Sequence, residues 1–137
     1  MLFRSGGVDI ERNPVLTRAF GPALVQLDGP MFIDDNDSLA HLDFPLLEHV
    51  ISDLDVTGNA ALKTIEMPAL TEAADELFIQ SNPQLGYIAF DALEHADLFF
   101  VQNNPHLPTC EVLPLFAQVR GFGHSQSGND DTATCLR

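Results

Sequence analysis

Two short acidic runs carry the oxygen ligands that calcium prefers. They are residues 34–37 (Asp-Asp-Asn-Asp) and residues 129–131 (Asn-Asp-Asp). An EF-hand loop also needs a glycine and then a distal glutamate, and neither residue is in place. Solvated turns are the favoured interpretation, since Asp and Asn stabilise turns through their own side chains. Calcium binding at either run stays an open alternative.

The five histidines show no spacing that is typical of a metal site or of a catalytic base. They are His41, His49, His95, His106 and His124. No serine or cysteine stands with them in an arrangement that activates a nucleophile. We therefore predict no catalytic residue, no metal and no cofactor, and we expect that the protein is not an enzyme.

The charged residues are strongly unbalanced, which narrows the class of partner. The chain of 137 residues carries 20 acidic and 6 basic side chains, for a net charge of −14. Binding to nucleic acid or to an anionic membrane needs a basic face, so we expect neither. Hydrophobic residues make up 45% of the chain, enough for the packed core of one domain. No stretch reaches the roughly 20 continuous apolar residues of a membrane span, so we expect no insertion into a membrane.

Asparagine recurs at a nearly constant interval along the chain. Asn13, Asn36, Asn59 and Asn82 follow one another at 23 residues, Asn104 comes after 22 and Asn129 after 25. Leucine recurs in phase, three residues after the asparagine, at Leu16, Leu39, Leu62, Leu85 and Leu107. It recurs again eleven residues after it, at Leu24, Leu47, Leu70, Leu93 and Leu115. So many positions in phase indicate a repeat protein whose coils bury their apolar faces by stacking.

Each coil is expected to contain two short strands joined by turns. Residues 54–57 and 77–80 alternate apolar and mostly polar side chains, the period of a strand with one buried face. A second strand is expected at residues 64–67 and 87–90, and a turn or helical twist at residues 68–73. Stacked coils then place equivalent leucines over one another at about 4.8 Å.

The predicted fold is a mainly β solenoid that forms a single domain over residues 1–137. Its coils are expected near residues 8–30, 31–53, 54–76, 77–98 and 99–115, with a C-terminal cap over residues 110–135. The recurring asparagine belongs at an inward bend, where its amide hydrogen-bonds the backbone of its own and neighbouring turns. This structural role applies to Asn13, Asn36, Asn59, Asn82 and Asn104.

The repeated motif L-x-V/I-x-x-N-x-x-L-x-x-I-x-F/M-P-x-L resembles the receptor L-domain, a relative of the leucine-rich repeats. Clear copies run over residues 54–70 and 77–93, and a good copy runs over residues 31–47. Residues 99–115 form a closing copy and residues 8–24 a degraded one. The resemblance implies a right-handed, β-helix-like stack of parallel strands in an extracellular or cell-surface protein, such as a bacterial secreted protein. It also implies ligand binding, but it transfers no binding residues, because ligand contacts differ among members of the family.

The two cysteines fall at the same place in adjacent coils. Cys110 is six residues after Asn104, and Cys135 is six residues after Asn129. Their Cα atoms are therefore expected about 5 Å apart, which suits a disulfide. We predict a Cys110–Cys135 bond that ties down the cap, and hence an oxidising compartment and an exported, longer polypeptide whose signal peptide is absent from this sequence. Two free thiols or a metal site are the alternatives.

Three phenylalanines each come four residues before one of the recurring asparagines, at a strand position whose side chain is expected to point outward. Phe32, Phe78 and Phe100, together with Tyr87, are predicted to form a binding patch, because exposed apolar surface often marks an interface. The expected function is a non-catalytic binding module that contacts an unknown protein or glycan partner through its strand faces. A purely structural spacer within a larger surface protein is the first alternative.

A carbohydrate-active β-helix enzyme is a weaker alternative. Such enzymes cluster carboxylates on one strand face. Asp9 and Asp55 share a face here, but they are expected two coils and roughly 10 Å apart, with Phe32 between them.

Overall fold

The chain winds into a solenoid of about five turns with three parallel β-sheets along its length. The structure, a computed structural model, describes residues 3–133, with side chains from residue 6 onward. Neighbouring strands of a sheet come from successive coils, so that Leu54 pairs with Leu77, 23 residues further along the chain. The predicted mainly β solenoid with short parallel strands is therefore confirmed.

Each of the first three coils contributes one strand to each of three sheets, which we call A, B and C. Sheet A contains, in spatial order, β1 (Phe3–Ser5), β4 (Leu24–Leu27), β7 (His49–Val50) and β10 (Glu72–Ala73). Sheet B contains β2 (Val8–Glu11), β5 (Met31–Asp34), β8 (Leu54–Thr57), β11 (Glu76–Gln80), β13 (Leu98–Gln102) and β14 (Gly123–Ser127). Sheet C contains β3 (Arg18–Phe20), β6 (His41–Asp43), β9 (Thr64–Glu66) and β12 (Tyr87–Ala89).

The core runs along the axis of the solenoid between the three sheets. In β8 the side chains of Leu54 and Val56 are fully buried, whereas Asp55 between them points outward, as the period of two along a strand requires. The leucines three residues after the recurring asparagine form one row of this core, and Leu39, Leu62, Leu85 and Leu107 are all fully buried.

The recurring asparagines form a continuous hydrogen-bonded row, the asparagine ladder, from Asn13 to Asn129. The side-chain oxygen Oδ1 of Asn59 accepts hydrogen bonds from both the backbone N–H and Nδ2 of Asn36, each at 3.1 Å. The Nδ2 of Asn59 donates to the carbonyl oxygen of Ile33 at 2.8 Å. The side chain thus satisfies backbone groups that stacking removes from water.

The residue before each ladder asparagine has a left-handed backbone conformation. Its φ angle is +71° at Gly58 and +67° at Gly128, where glycine adopts it without strain. The equivalent positions in the other coils have φ between 54° and 57°, at Arg12, Asp35, Ser81 and Asn103. A side chain there costs roughly 1 kcal/mol, although Asn tolerates the conformation better than most residues.

The prediction has the turn at residues 68–69 but misses the third strand, which the first three coils each contain. The sequence indicated a turn or helical twist over residues 68–73, but Glu72–Ala73 forms strand β10 and pairs with β7. A two-residue strand is too short to show an alternating pattern in the sequence. Ala73 points into the core, which leaves the side chain of Glu72 on the outer face.

The C-terminal end of the core is covered by a helix, α1 (Thr109–Gln118), within the region assigned to the cap. Val112, Leu115 and Phe116 form its buried side. The ring of Phe116 meets Phe99 edge to face at 5.0 Å between centroids and stacks on His124 at 4.6 Å. The sequence did not indicate a helix here, and Pro114 lies within it.

The first repeat is a folded coil, because β2, β3 and β4 pair with the corresponding strands of the second coil. It is less covered than the later coils. Asn13 is exposed, the side chain of Val15 is 84% exposed and that of Phe20 is 51% exposed.

Candidate binding faces

The outward face of sheet B carries a stacked pair of aromatic rings. Phe78 and Phe100 are register partners in β11 and β13, and their ring centroids are 5.1 Å apart with an interplanar angle of 15°. Both side chains are half-buried, since each ring covers one face of the other. Along the strands, Gln80 lies opposite Gln102 on one side of the pair, and Glu76 lies opposite Leu98 on the other. The two rings therefore make an apolar ridge on the outward face of sheet B.

The structure places the other two residues of the predicted patch elsewhere. Phe32 is also on sheet B, but Asp55 lies between it and Phe78 in register. Tyr87 is on sheet C and is 39% exposed. The predicted patch of four therefore contains one close pair. In the same register, Phe32 of β5 lies between Asp9 of β2 and Asp55 of β8. The strands that carry the two carboxylates are therefore not neighbours in the sheet.

The first half of sheet B is acidic. Glu11, Asp34 and Thr57 occupy one register row, and Asp55 lies on the neighbouring row. The Oδ1 atom of Asp34 is buried and has no hydrogen-bond partner among the residues that the structure describes. Burial, and then the nearby charges of Asp55 and Glu11, raise the pKa of Asp34 to about 6.

The outward face of sheet A carries a row of four polar side chains. His49 is opposite Glu72 in β7 and β10, and isolated bridges extend the row from Glu72 to His95 and from His95 to Arg120. The repeat puts His49, Glu72 and His95 at the same place, each 13 residues after its asparagine, but without a third strand the sequence indicated no sheet to hold them. The row borders a cavity of about 660 Å³ that Phe122 also lines.

The two acidic runs each include a ladder asparagine, the first at the end of β5 and the second just after β14. Asp35 and Asp37 are exposed beside the ladder residue Asn36. Asp130 Oδ1 accepts the backbone N–H of Thr132 at 2.9 Å and its hydroxyl at 2.7 Å, and these hydrogen bonds lower the pKa of Asp130. Within residues 3–133, no group of three or more His, Cys, Asp or Glu side chains converges as metal ligands would.

The predicted disulfide involves a residue outside the part that the structure describes. Cys110 lies at the start of α1, with its Sγ 3.9 Å from the carbonyl oxygen of Ala133. Cys135 follows two residues later and is not among the described residues. The Cys110–Cys135 bond therefore stays a prediction.

No helix in the described part of the chain is long and apolar enough to cross a membrane. Comparison of the chain with protein-family models, with curated proteins and with solved structures gives no match. The resemblance to the receptor L-domain accordingly remains one of sequence pattern. A proposal about function therefore rests on the faces described above.

Proposed function

We propose that the protein is a non-catalytic binding module that contacts a protein partner through the outward face of sheet B. The stacked pair Phe78 and Phe100 carries this proposal. Aromatic side chains are enriched at the centres of protein interfaces, where they bury a large area at little cost in conformational entropy. The rings already hold each other in place, so little further ordering would oppose binding.

The surroundings of the pair favour a protein over a sugar on this face. Each ring covers the face of the other, which leaves mainly ring edges and outer faces in contact with solvent. The neutral Gln80 and Gln102 beside the pair provide donors and acceptors for the rim of an interface. The acidic half of the sheet, which begins at Asp55, would favour a partner with basic residues at one border.

Site-specific photo-crosslinking tests this proposal. A photoreactive phenylalanine analogue at Gln80 should form adducts with the partner in surface extracts, whereas the same analogue at Tyr87 on sheet C should not. The double variant Phe78→Ser/Phe100→Ser should lower the affinity of the identified partner at least about thirtyfold. Adducts at neither position would favour the structural spacer, and equal adducts at both would contradict the choice of face.

We also infer that Cys110 and Cys135 form a disulfide and that the module works outside the cytoplasm, as the resemblance to bacterial surface L-domains implies. The contact between Cys110 Sγ and the carbonyl of Ala133 supports this, because it brings the chain two residues before Cys135 to the sulfur. A thiol assay on unfolded, unreduced protein should find no titratable thiol. Two thiols would contradict the cross-link and remove the argument for an oxidising compartment.

A further inference from the structure

Sheet A has an outward face that is distinct from the Phe78–Phe100 ridge on sheet B. Its outward row contains His49, Glu72, His95 and Arg120, one residue from each of four successive coils. Neighbouring strands are about 4.8 Å apart, so the row extends over about 14 Å. The cavity beside it, about 660 Å³, lies within the range of roughly 300–1,000 Å³ that is typical of small-ligand sites.

The polar groups that line this cavity, which we call the groove, are accessible. The side chains of His49, Glu72 and His95 are each 37% exposed. His95 Nε2 lies 2.9 Å from Asp97 Oδ1, and His49 Nδ1 lies 3.6 Å from Glu72 Oε2. The groove therefore offers donors and acceptors side by side, which suits a ligand whose groups both donate and accept.

An exposed aromatic ring stands at one end of the row. Phe122 lines the cavity and is 88% exposed, so at least one face of its ring is open to a ligand. Its position depends on Gly121, because a Cβ atom there would lie 1.8 Å from the carbonyl oxygen of Ala96. The glycine lets the chain cross close to the neighbouring coil and places Phe122 beside Arg120 at the end of the groove.

A sugar ring matches both features, since it presents C–H groups on its face and hydroxyl groups around its edge. The face of an aromatic ring is negative and attracts C–H groups, and hydroxyls can pair with His95, Asp97 and Glu72. Charge narrows the class further. With Glu72, Glu94 and Asp97 against Arg120, the groove has an excess of carboxylates in a chain of net charge −14. A uronic or sialic acid would be repelled.

We propose that this groove binds an oligosaccharide without acidic groups, with Phe122 as the stacking platform and the His95–Asp97 pair as the main hydrogen-bonding group. The occupant is neutral or carries amino groups. The site is independent of the protein-binding face on sheet B.

An array of immobilised oligosaccharides tests the proposal with the whole chain. Neutral and amino-sugar oligosaccharides should bind the wild-type protein, whereas uronate- and sialate-containing ones should not. Titration calorimetry with the strongest soluble binder should show about tenfold weaker affinity for Phe122→Ala. The matched control Phe20→Ala, an exposed ring on sheet C, should bind like wild type. Because Phe122 is 88% exposed, the variant should keep its fold, which thermal unfolding checks.

A second variant separates hydrogen bonding from a general surface effect. Asp97→Asn keeps the shape, removes a negative charge and changes the partner of His95. It should weaken the binding of neutral oligosaccharides and reduce the discrimination against acidic ones.

Absence of signal on neutral and amino sugars, or unchanged binding by both variants, would overturn the proposal. Capture of a hexalysine peptide in place of any glycan would instead identify a site for basic peptides. Phe78→Ser/Phe100→Ser should leave glycan binding intact, so failure here does not affect the face on sheet B.

Discussion

The two ends of the solenoid are built differently. At the C-terminal end, α1 covers the core and Phe116 is only 7% exposed. At the N-terminal end, the first coil is folded, but Phe20 is 51% exposed and Val15 84% exposed. The last coil of a repeat array needs a lid because it has no neighbour to bury its apolar side. In the described part of the chain, that requirement is met by a helix at one end only.

The difference teaches that a coil gains its stability from the neighbour on each side rather than from its own residues. The two ends share the ladder asparagine and the leucine three residues later, yet Leu16 is only partly buried while Leu107 is fully buried. The same residue type is therefore expected to contribute unequally along the solenoid, and matched substitutions at the two ends measure this.

The largest difference is expected for the same aromatic substitution at both ends. Phe116→Ala should lower the free energy of unfolding by about 4 kcal/mol, because it opens a cavity next to Phe99 in the cap. Phe20→Ala should cost less than about 1 kcal/mol, since its ring mainly contacts the Arg18 guanidinium, 4.5 Å from its centroid. Urea unfolding measures both values. Equal losses would mean that the first coil is covered as well as the last.

The ladder gives the second comparison. Asn104 is fully buried, and its Oδ1 accepts hydrogen bonds from the backbone N–H and Nδ2 of Asn82 at 3.1 and 3.2 Å. Asn104→Ala leaves the backbone N–H of Asn82 buried without this acceptor and removes the bond from Asn104 Nδ2 to the carbonyl oxygen of Ile79, so we expect a loss of about 3 kcal/mol. Asn13 is exposed, and water can replace its contacts, so Asn13→Ala should cost under about 1 kcal/mol. Similar melting temperatures for the two variants would contradict this account.

The third comparison of the two ends uses the residue before the ladder asparagine, which has a left-handed backbone conformation. Gly128 has φ of +67°, and a Cβ atom there would lie 2.5 Å from Asn103 Oδ1. Gly128→Ala should lower the free energy of unfolding by about 1–2 kcal/mol. Arg12→Gly, at φ of 54°, should raise it by about 0.3–1 kcal/mol, because glycine adopts this conformation without strain. Thermal unfolding of each variant against wild type gives the sign directly, and a stabilising Gly128→Ala would be inconsistent with the backbone conformation.

How much of this the sequence could predict depends on the length of each pattern. The interval between asparagines and the leucines in phase with it extend over the whole chain, and they predicted the solenoid and its 23-residue spacing. Strand β10 has two residues, which is below the length at which alternation is visible, so sheet A was missed. The groove was missed with it: the repeat aligns His49, Glu72 and His95, but the strand pairing that makes them neighbours and adds Arg120 was not predicted.

The helix of the cap was missed for a different reason. Residues 109–118 include Pro114, which disfavours a helix interior, and Leu115 continues the spacing of the repeat. The sequence therefore predicted a coil up to residue 115 and a cap over residues 110–135, but it gave no sign that the covering element is a helix. On sheet B the alternation gave the outward direction of Phe78 and Phe100, but their stacking depends on strand register, which brings them opposite each other.

The smallest expected effect on stability comes from the acidic half of sheet B, next to the less covered end. This effect depends on pH. The pKa of Asp34 is raised to about 6 by burial and by Asp55 and Glu11, so the folded protein binds its proton more tightly than the unfolded chain does. The stability of the fold should therefore fall as pH rises from about 4 to about 6. Asp34→Asn removes this loss and should raise the free energy of unfolding at pH 7 by about 1 kcal/mol, an estimate that allows for partial exposure.

The matched control for this last effect is Asp37→Asn, which makes the same chemical change at an exposed position and alters net charge equally. The gain of Asp34→Asn over this control should vanish below about pH 4, where Asp34 is protonated in both states. Urea unfolding of both variants at pH 4, 5, 6 and 7 measures the difference. A gain that stays constant over this range, or that appears equally in Asp37→Asn, would show that net charge rather than the burial of Asp34 limits stability near the N-terminal end.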